Sequence, residues 1–177
     1  MTTWIAFFRG INVGGNNLLP MQSLVSLLQK LGCEDVRTYI QSGNAVFRCT
    51  ATKAETLGNK ISAAVLKVHG FEPRVLLLTQ KDLQLAITAN PFPQAEADHK
   101  SLLFYFLAAP AKQANIDALN SLKRNAEAFA LTKQVFYLHA PDGIGKSKLA
   151  ERVEKLLGVA ATARNWRTVH SVLELCL

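Results

Sequence analysis

VRTYIQSGNAVFRC, Val36 to Cys49, holds two short runs, VRTYI and NAVFRC, separated by QSG. Runs rich in β-branched and aromatic residues on either side of a short glycine-containing break read as the two strands of a hairpin. That reading decides the fold class. Strands joined by a tight turn run antiparallel, whereas a doubly wound parallel sheet, the main rival, needs crossover connections.

The neighbours of this hairpin complete a unit. TWIAFF, residues 3–8, reads as a buried strand. PMQSLVSLLQKLG, residues 20–32, reads as a helix: Pro20 suits its first turn, Leu24, Leu27, Leu28 and Leu31 form a stripe, and Gly32 closes it. After the hairpin, TKAETLGNKISAAVLKVHG places Leu57, Ile61, Ala64, Val65 and Val68 on one helical face and ends at Gly70. RVLLLT, residues 74–79, is a further strand.

Residues 81–99 interrupt the pattern with a short helix, KDLQLAITA, and a linker, NPFPQAEADH, that contains two prolines. The order then returns. SLLFYFL is a strand, and KQANIDALNSLK a helix through Ile116, Leu119 and Leu122. EAFAL and QVFYLH are hairpin strands around TK, and GKSKLAERVEKLLG is a helix burying Leu149, Val153, Leu156 and Leu157. ATA is a brief strand, and NWRTVHSVLELC a closing helix carrying Trp166, Val169, Leu173 and Cys176. The expected fold is α+β: two tandem ferredoxin-like (βαββαβ) subdomains with mainly antiparallel sheets covered by helices, plus a C-terminal helix. The expected boundaries are 1–80 for the first half, 81–99 for the helix and linker, and 100–177 for the second half.

The bulk composition narrows the function classes. A chain of 177 residues that is 49% hydrophobic suits one globular domain or two small ones. No apolar run approaches the roughly 20 residues that span a bilayer, and MTTWIAFFRG shows neither the charged start nor the cleavage site of a secretory signal. The expected location is cytoplasmic, with no membrane partner. Cys33, Cys49 and Cys176 are odd in number and lack zinc or redox spacing, which suits reduced thiols. His69, His99, His139 and His170 are scattered, and neither H-E-x-x-H nor G-x-S-x-G occurs. A metal hydrolase and a serine hydrolase are therefore poorly supported, no metal is expected, and no cofactor motif is legible. The net charge is +7, and the excess sits mainly in residues 100–177, with eleven Lys and Arg against six Asp and Glu. Such a balance favours anionic partners.

Topology then brings polar loops together. In a ferredoxin-like unit with right-handed crossovers, the loop after the first strand and the hairpin between the second and third share an edge. RGINVGG and IQSGN should therefore lie close together. Two readings of RGINVGG stand side by side. In one, Gly14 and Gly15 offer backbone amides to an anion, with Arg9 as counter-charge. In the other, the asparagines brace a long structural loop. QSGN is similarly either a tight turn, with Gly43 and Asn44 tolerating left-handed geometry, or part of a site. At the opposite edge of the second half, the segments around Lys100, APDGIGKS and RNWR should meet. They bring Lys100, Lys146, Ser147, Lys148, Arg164, Asn165 and Arg167 to one rim.

APDGIGKS has the spacing of a phosphate-binding loop, G-x-x-x-x-G-K-[ST], but Ala140 stands where the first glycine belongs, and no magnesium-binding strand follows. The weaker reading is a helix start whose amides, with Lys146 and Ser147, hold a phosphate or carboxylate without hydrolysing it. Trp166 is either a core anchor for the last helix or a site neighbour, and Arg164 either solvated or an anion clamp. Recognition of RNA on the sheet face is weakly supported, because NAVFRC offers only Phe47 as an aromatic.

RGINVGG after an N-terminal strand, TYIQSGNAVF, NPF at 90–92, GKSKL and TARNWRTV occur in order along nearly the whole chain. In these motifs the chain resembles the bacterial family catalogued as domain of unknown function 1697. The resemblance implies a compact α+β protein of two ferredoxin-like halves, and no particular chemistry. Matched motif by motif, it marks Arg9, Asn12, Gly14, Gly15, Gln41, Ser42, Asn44, Asn90, Lys146, Arg164, Asn165 and Trp166 as candidate site residues. The expected function is a binding module for a small anionic ligand, a nucleotide or phosphorylated metabolite. The alternatives are an enzyme of unidentified reaction using the same residues and a nucleic-acid binder favoured by charge alone. How the halves dock and how many copies assemble are not set by the sequence.

Overall fold

The computed structural model describes residues 1–177. Its chain forms two compact units, Met1–Leu85 together with Ser171–Leu177, and Ala86–His170. In the first unit β1 (Thr2–Arg9), α1 (Met21–Lys30), β2 (Glu34–Tyr39), β3 (Asn44–Cys49), α2 (Ala54–His69) and β4 (Arg74–Thr79) follow in sequence. The sheet order is β2-β3-β1-β4 and each neighbouring pair is antiparallel, which is the ferredoxin-like arrangement. β1 is central, and Trp4 to Phe8 are all buried, so the strand reads as a continuous apolar run instead of an alternation.

Leu24, Leu27 and Leu28 of α1 and Leu57, Ile61 and Val65 of α2 form one core with Trp4, Ala6, Phe8 and Phe47 of the sheet. α1 stops where Gly32, with φ of 83°, turns the chain; the Gly32 and Cys33 amides donate to the Gln29 and Leu28 carbonyls. α2 lies close on β4. Gly58 leaves room for the Val75 carbonyl, 3.3 Å from where a Cβ would sit, and the Ser62 hydroxyl donates to the Pro73 carbonyl at 2.6 Å. That approach turns the buried stripe of α2 toward Gly58 and Ser62. Val68, expected on the buried face, is 68% exposed.

α3 (Gln80–Thr88) and a 3-10 turn at Pro93–Ala97 lead to the second repeat. Its elements are β5 (Leu102–Leu107), α4 (Ile116–Leu122), β6 (Ala128–Leu131), β7 (Val135–His139), α5 (Lys148–Leu157) and β8 (Ala161–Asn165), followed by α6 (Trp166–Glu174). The sheet order β6-β7-β5-β8 repeats the first, again antiparallel throughout. Tyr105, Leu107, Phe136 and Leu138 face Leu119, Leu149, Val153 and Leu157 in its core. On alternate positions Phe104 meets Tyr137 edge-on at 4.8 Å, and the Tyr137 hydroxyl donates to the Ala86 carbonyl at 2.8 Å.

Some details of the second repeat differ from the expectation. α5 begins at Lys148, after a 3-10 turn at Ile144–Lys146, because Ser147 caps it. β8 runs on through Arg164 and Asn165, which pair with Phe104 and Leu103. Ile116, at the first turn of α4, remains exposed. No helix is long and apolar enough to cross a membrane.

Candidate functional site

At the first unit's edge, the loop after β1 is a miniature hairpin. Val13 and Asn16 form a β-bridge, and the Asn12 amide donates to the Asn17 carbonyl at 3.1 Å. Gly14 and Gly15 form its tip with φ of 58° and 78°, the mirror-image turn that two-residue hairpins favour. Asn12 ties this loop to its surroundings. Its Nδ2 donates to the Leu19 carbonyl at 2.9 Å and to the Gln41 carbonyl at 2.8 Å, and its Oδ1 accepts from the Leu19 amide at 2.8 Å. Asn17 Nδ2 donates to the Gly10 carbonyl at 2.8 Å.

The Gln41 contact joins this loop to the turn between β2 and β3, as the topology requires. The Phe8 amide adds a 2.8 Å bond to the Gly43 carbonyl. Asn44 is fully buried, and its Nδ2 donates to the Tyr39 carbonyl and the Ser42 hydroxyl. The left-handed residues of the turn are Gly43 and Ile40, with φ of 85° and 49°; Asn44, expected to share that role, is the first residue of β3. A β-branched residue in that region is strained. Arg9, Gly14, Gly15, Gln41 and Ser42 are exposed at this edge, and Arg9 stands opposite Arg74 in the β1–β4 register.

At the second unit's edge, the Ala140 amide donates to the Ser101 carbonyl at 2.7 Å, which sets the chain after β7 beside Lys100. Ala140, at the place of the missing phosphate-loop glycine, is a buried core residue. The Ser147 hydroxyl is buried and accepts from the Ala150 amide at 3.0 Å, so it serves as the cap of α5. Lys146 and Lys148 flank it and are exposed, as is Lys100. None of these three lysines makes an ion pair.

Arg164 is largely withdrawn from solvent. Its Nη1 donates to the Ala163 carbonyl at 2.9 Å, and burial pulls the guanidinium down to about 10. Asn165 Oδ1 caps α6 by accepting from the Thr168 amide at 2.9 Å. Trp166 packs its ring between Phe104 and His170, at 5.9 and 5.8 Å. Asn90 braces the linker: its Nδ2 donates to Glu96 and its Oδ1 accepts from the Phe92 amide.

No three His, Cys, Asp or Glu side chains are grouped so as to hold a metal ion. Phe47, the aromatic considered for nucleic-acid stacking, is buried in the first core. Cys33 and Cys49 are buried neighbours and unlinked; burial, and then the nearby Cys49, push the Cys33 thiol up to about 12.

The solved structure of the conserved bacterial protein SP0830 from Streptococcus pneumoniae is similar to this chain, with a TM-score of 0.74 and 25% identity over 99% of each chain. No curated protein matches. The family described as "Protein of unknown function (DUF1697)" matches residues 1–137, which run from β1 into β7 and end before the 140–148 loop and Arg164. With that match over most of its length, the chain belongs to the DUF1697 family.

Proposed function

We propose that the chain is a binding module for a small anionic ligand, a nucleotide or phosphorylated metabolite. One observation carries this reading. Lys146 and Lys148 flank the start of α5, Lys100 stands beside the chain that leaves β7 toward it, and none of the three is neutralised by a carboxylate. Ser147 satisfies the third amide of that helix, and the first two have no partner within the helix. Leu149 is buried, so a phosphate would lie beside the exposed Lys148, where it gains from the helix dipole and from the lysine charge together.

Within this reading the side chains divide by role. Lys146, Lys148 and Lys100 supply charge. Ser147, Asn165, Asn12, Asn44 and Asn90 hold the framework, because each directs its hydrogen bonds into the fold. A cytoplasmic location is part of this reading, because Cys33, Cys49 and Cys176 are odd in number and lack zinc or redox spacing.

The test is a thermal-shift panel of inorganic phosphate, nucleoside mono- and triphosphates and sugar phosphates. At least one member should raise Tm through binding linkage, and the shift should shrink in Lys146→Ala. A panel without effect at millimolar concentration, or a shift unchanged in that variant, defeats the reading.

A further inference from the structure

Cys33 and Cys49 meet at the open end of the β2–β3 hairpin. Glu34 stands opposite Arg48, and continuing that antiparallel register by one residue sets Cys33 opposite Cys49. Residues directly opposite on such strands have Cα atoms about 4.5–5.5 Å apart and point their side chains to one face. Both cysteines belong to the core cluster that α1 and α2 cover, and the Cys33 thiol lies within hydrogen-bonding reach of Cys49. A disulfide takes a Cα separation of about 4.4–6.8 Å, so this pair can close with the strands where they are. The two are unlinked, and each keeps 4% of its surface exposed.

Packing accounts for each cysteine singly, because a free thiol fills space as a small apolar side chain does. The pairing adds a chemical capacity that packing does not need, and it sits where the hairpin is held least. β2 is an edge strand of its sheet. Glu34 and Arg48 form the single pair before the strand bulges, with Asp35 at a φ of 51°. Residues 34–36 can therefore lift while the pairs from Arg37 onward hold, which uncovers the thiols at a smaller cost than global unfolding.

We propose that Cys33 and Cys49 are a reversible disulfide site, closed by hydrogen peroxide and reopened by thiol reductants. In the first step one sulfur, having lost its proton, attacks a peroxide oxygen; the O–O bond breaks, leaving a sulfenic acid and releasing water. In the second, the other sulfur attacks the sulfenic sulfur; the S–O bond breaks, and the hydroxyl leaves with the second thiol proton as water. The two sulfurs together give up two electrons, the peroxide takes them, and two waters form. Burial keeps the Cys33 thiol protonated in the closed fold, so the first step waits on the lifting of residues 34–36 and is slow. In a reducing location such a bond is transient.

Intact mass and peptide mapping of the full Cys176→Ser chain after hydrogen peroxide test the proposal, since this pair then holds the only thiols. The product should have lost two hydrogens, join the Cys33 and Cys49 peptides within one chain, and revert with dithiothreitol. It should melt roughly 5 °C or more above the reduced chain, because the crosslink closes the hairpin loop. Cys33→Ser and Cys49→Ser in the same background should give neither the link nor the rise, and their reduced melting curves verify the fold. Two free thiols after overnight exposure to millimolar peroxide, links between chains instead of within one, or a linked product that melts no higher than the reduced chain overturns the proposal.

Discussion

Gly43→Ala tests the junction that joins the two loops of the first unit. A Cβ at Gly43 would lie 2.5 Å from Ile11 Cδ1 and 2.7 Å from Phe8 Cβ. The Phe8 atom is fixed to the central strand, and Ile11 is buried with little room to turn. Overpacking of this kind costs about 1–3 kcal/mol. Alanine at the φ of 85° seen for Gly43 adds about 1–2 kcal/mol for left-handed backbone. The expected loss is therefore about 3 kcal/mol, a large part of the ~5–15 kcal/mol that holds an ordinary domain together. Gly15→Ala is the internal control, because its φ is 78° but nothing lies within 4 Å of the added carbon. It should cost about 1 kcal/mol. Urea unfolding followed by far-UV circular dichroism gives both values from the midpoints. If Gly43→Ala costs no more than Gly15→Ala, the close packing of the turn under Ile11 and Phe8 is wrong.

Ile40→Asn should stabilise the chain by about 1 kcal/mol, since asparagine tolerates the left-handed region that the half-exposed isoleucine occupies under strain; a lower urea midpoint would show instead that the isoleucine side chain is needed. Ser147→Ala should cost about 1 kcal/mol through loss of the α5 cap and Ser147→Asp should recover most of it, so equal melting temperatures for the two variants contradict the capping role. Alkaline stability has a definite sign. Burial raises the Cys33 thiol from 9.0 and the Tyr105 and Tyr137 phenols from 10.0, each to about 12. The folded state thus keeps protons that the unfolded chain releases first. Their contribution is intact below pH 9 and is lost as pH rises from 9 toward 12. Tyr137→Phe should flatten the decline above pH 10 even though it loses the bond to Ala86, and an unchanged slope refutes the assignment.

The fold was legible because its signals agree across levels. Apolar runs at TWIAFF and SLLFYFL, glycine breaks at Gly43 and Gly70, and leucine stripes in α1 and α5 all point to the same repeat. The contact between the 9–17 and 39–44 loops follows from that topology, and so does the meeting of Lys100 with the 140–148 segment. What escaped was local. Ile40 lies in a left-handed turn against its own β-branched preference, which pattern reading assigns to a neighbouring asparagine instead. Val68 has the right periodicity for burial, but the backbone approach at Gly58 turns α2 away from it. Ser147 reads as a phosphate ligand or as part of a solvated helix start, whereas its hydroxyl is buried and caps α5 by accepting from the Ala150 amide.

The central claim, anion binding at the start of α5, is tested most directly by a two-dimensional amide NMR titration with a nucleoside monophosphate. The account predicts saturable shifts concentrated at the Lys146 and Lys148 amides and reduced in Lys146→Ala. Saturable shifts centred elsewhere, or none at those two amides, would contradict it.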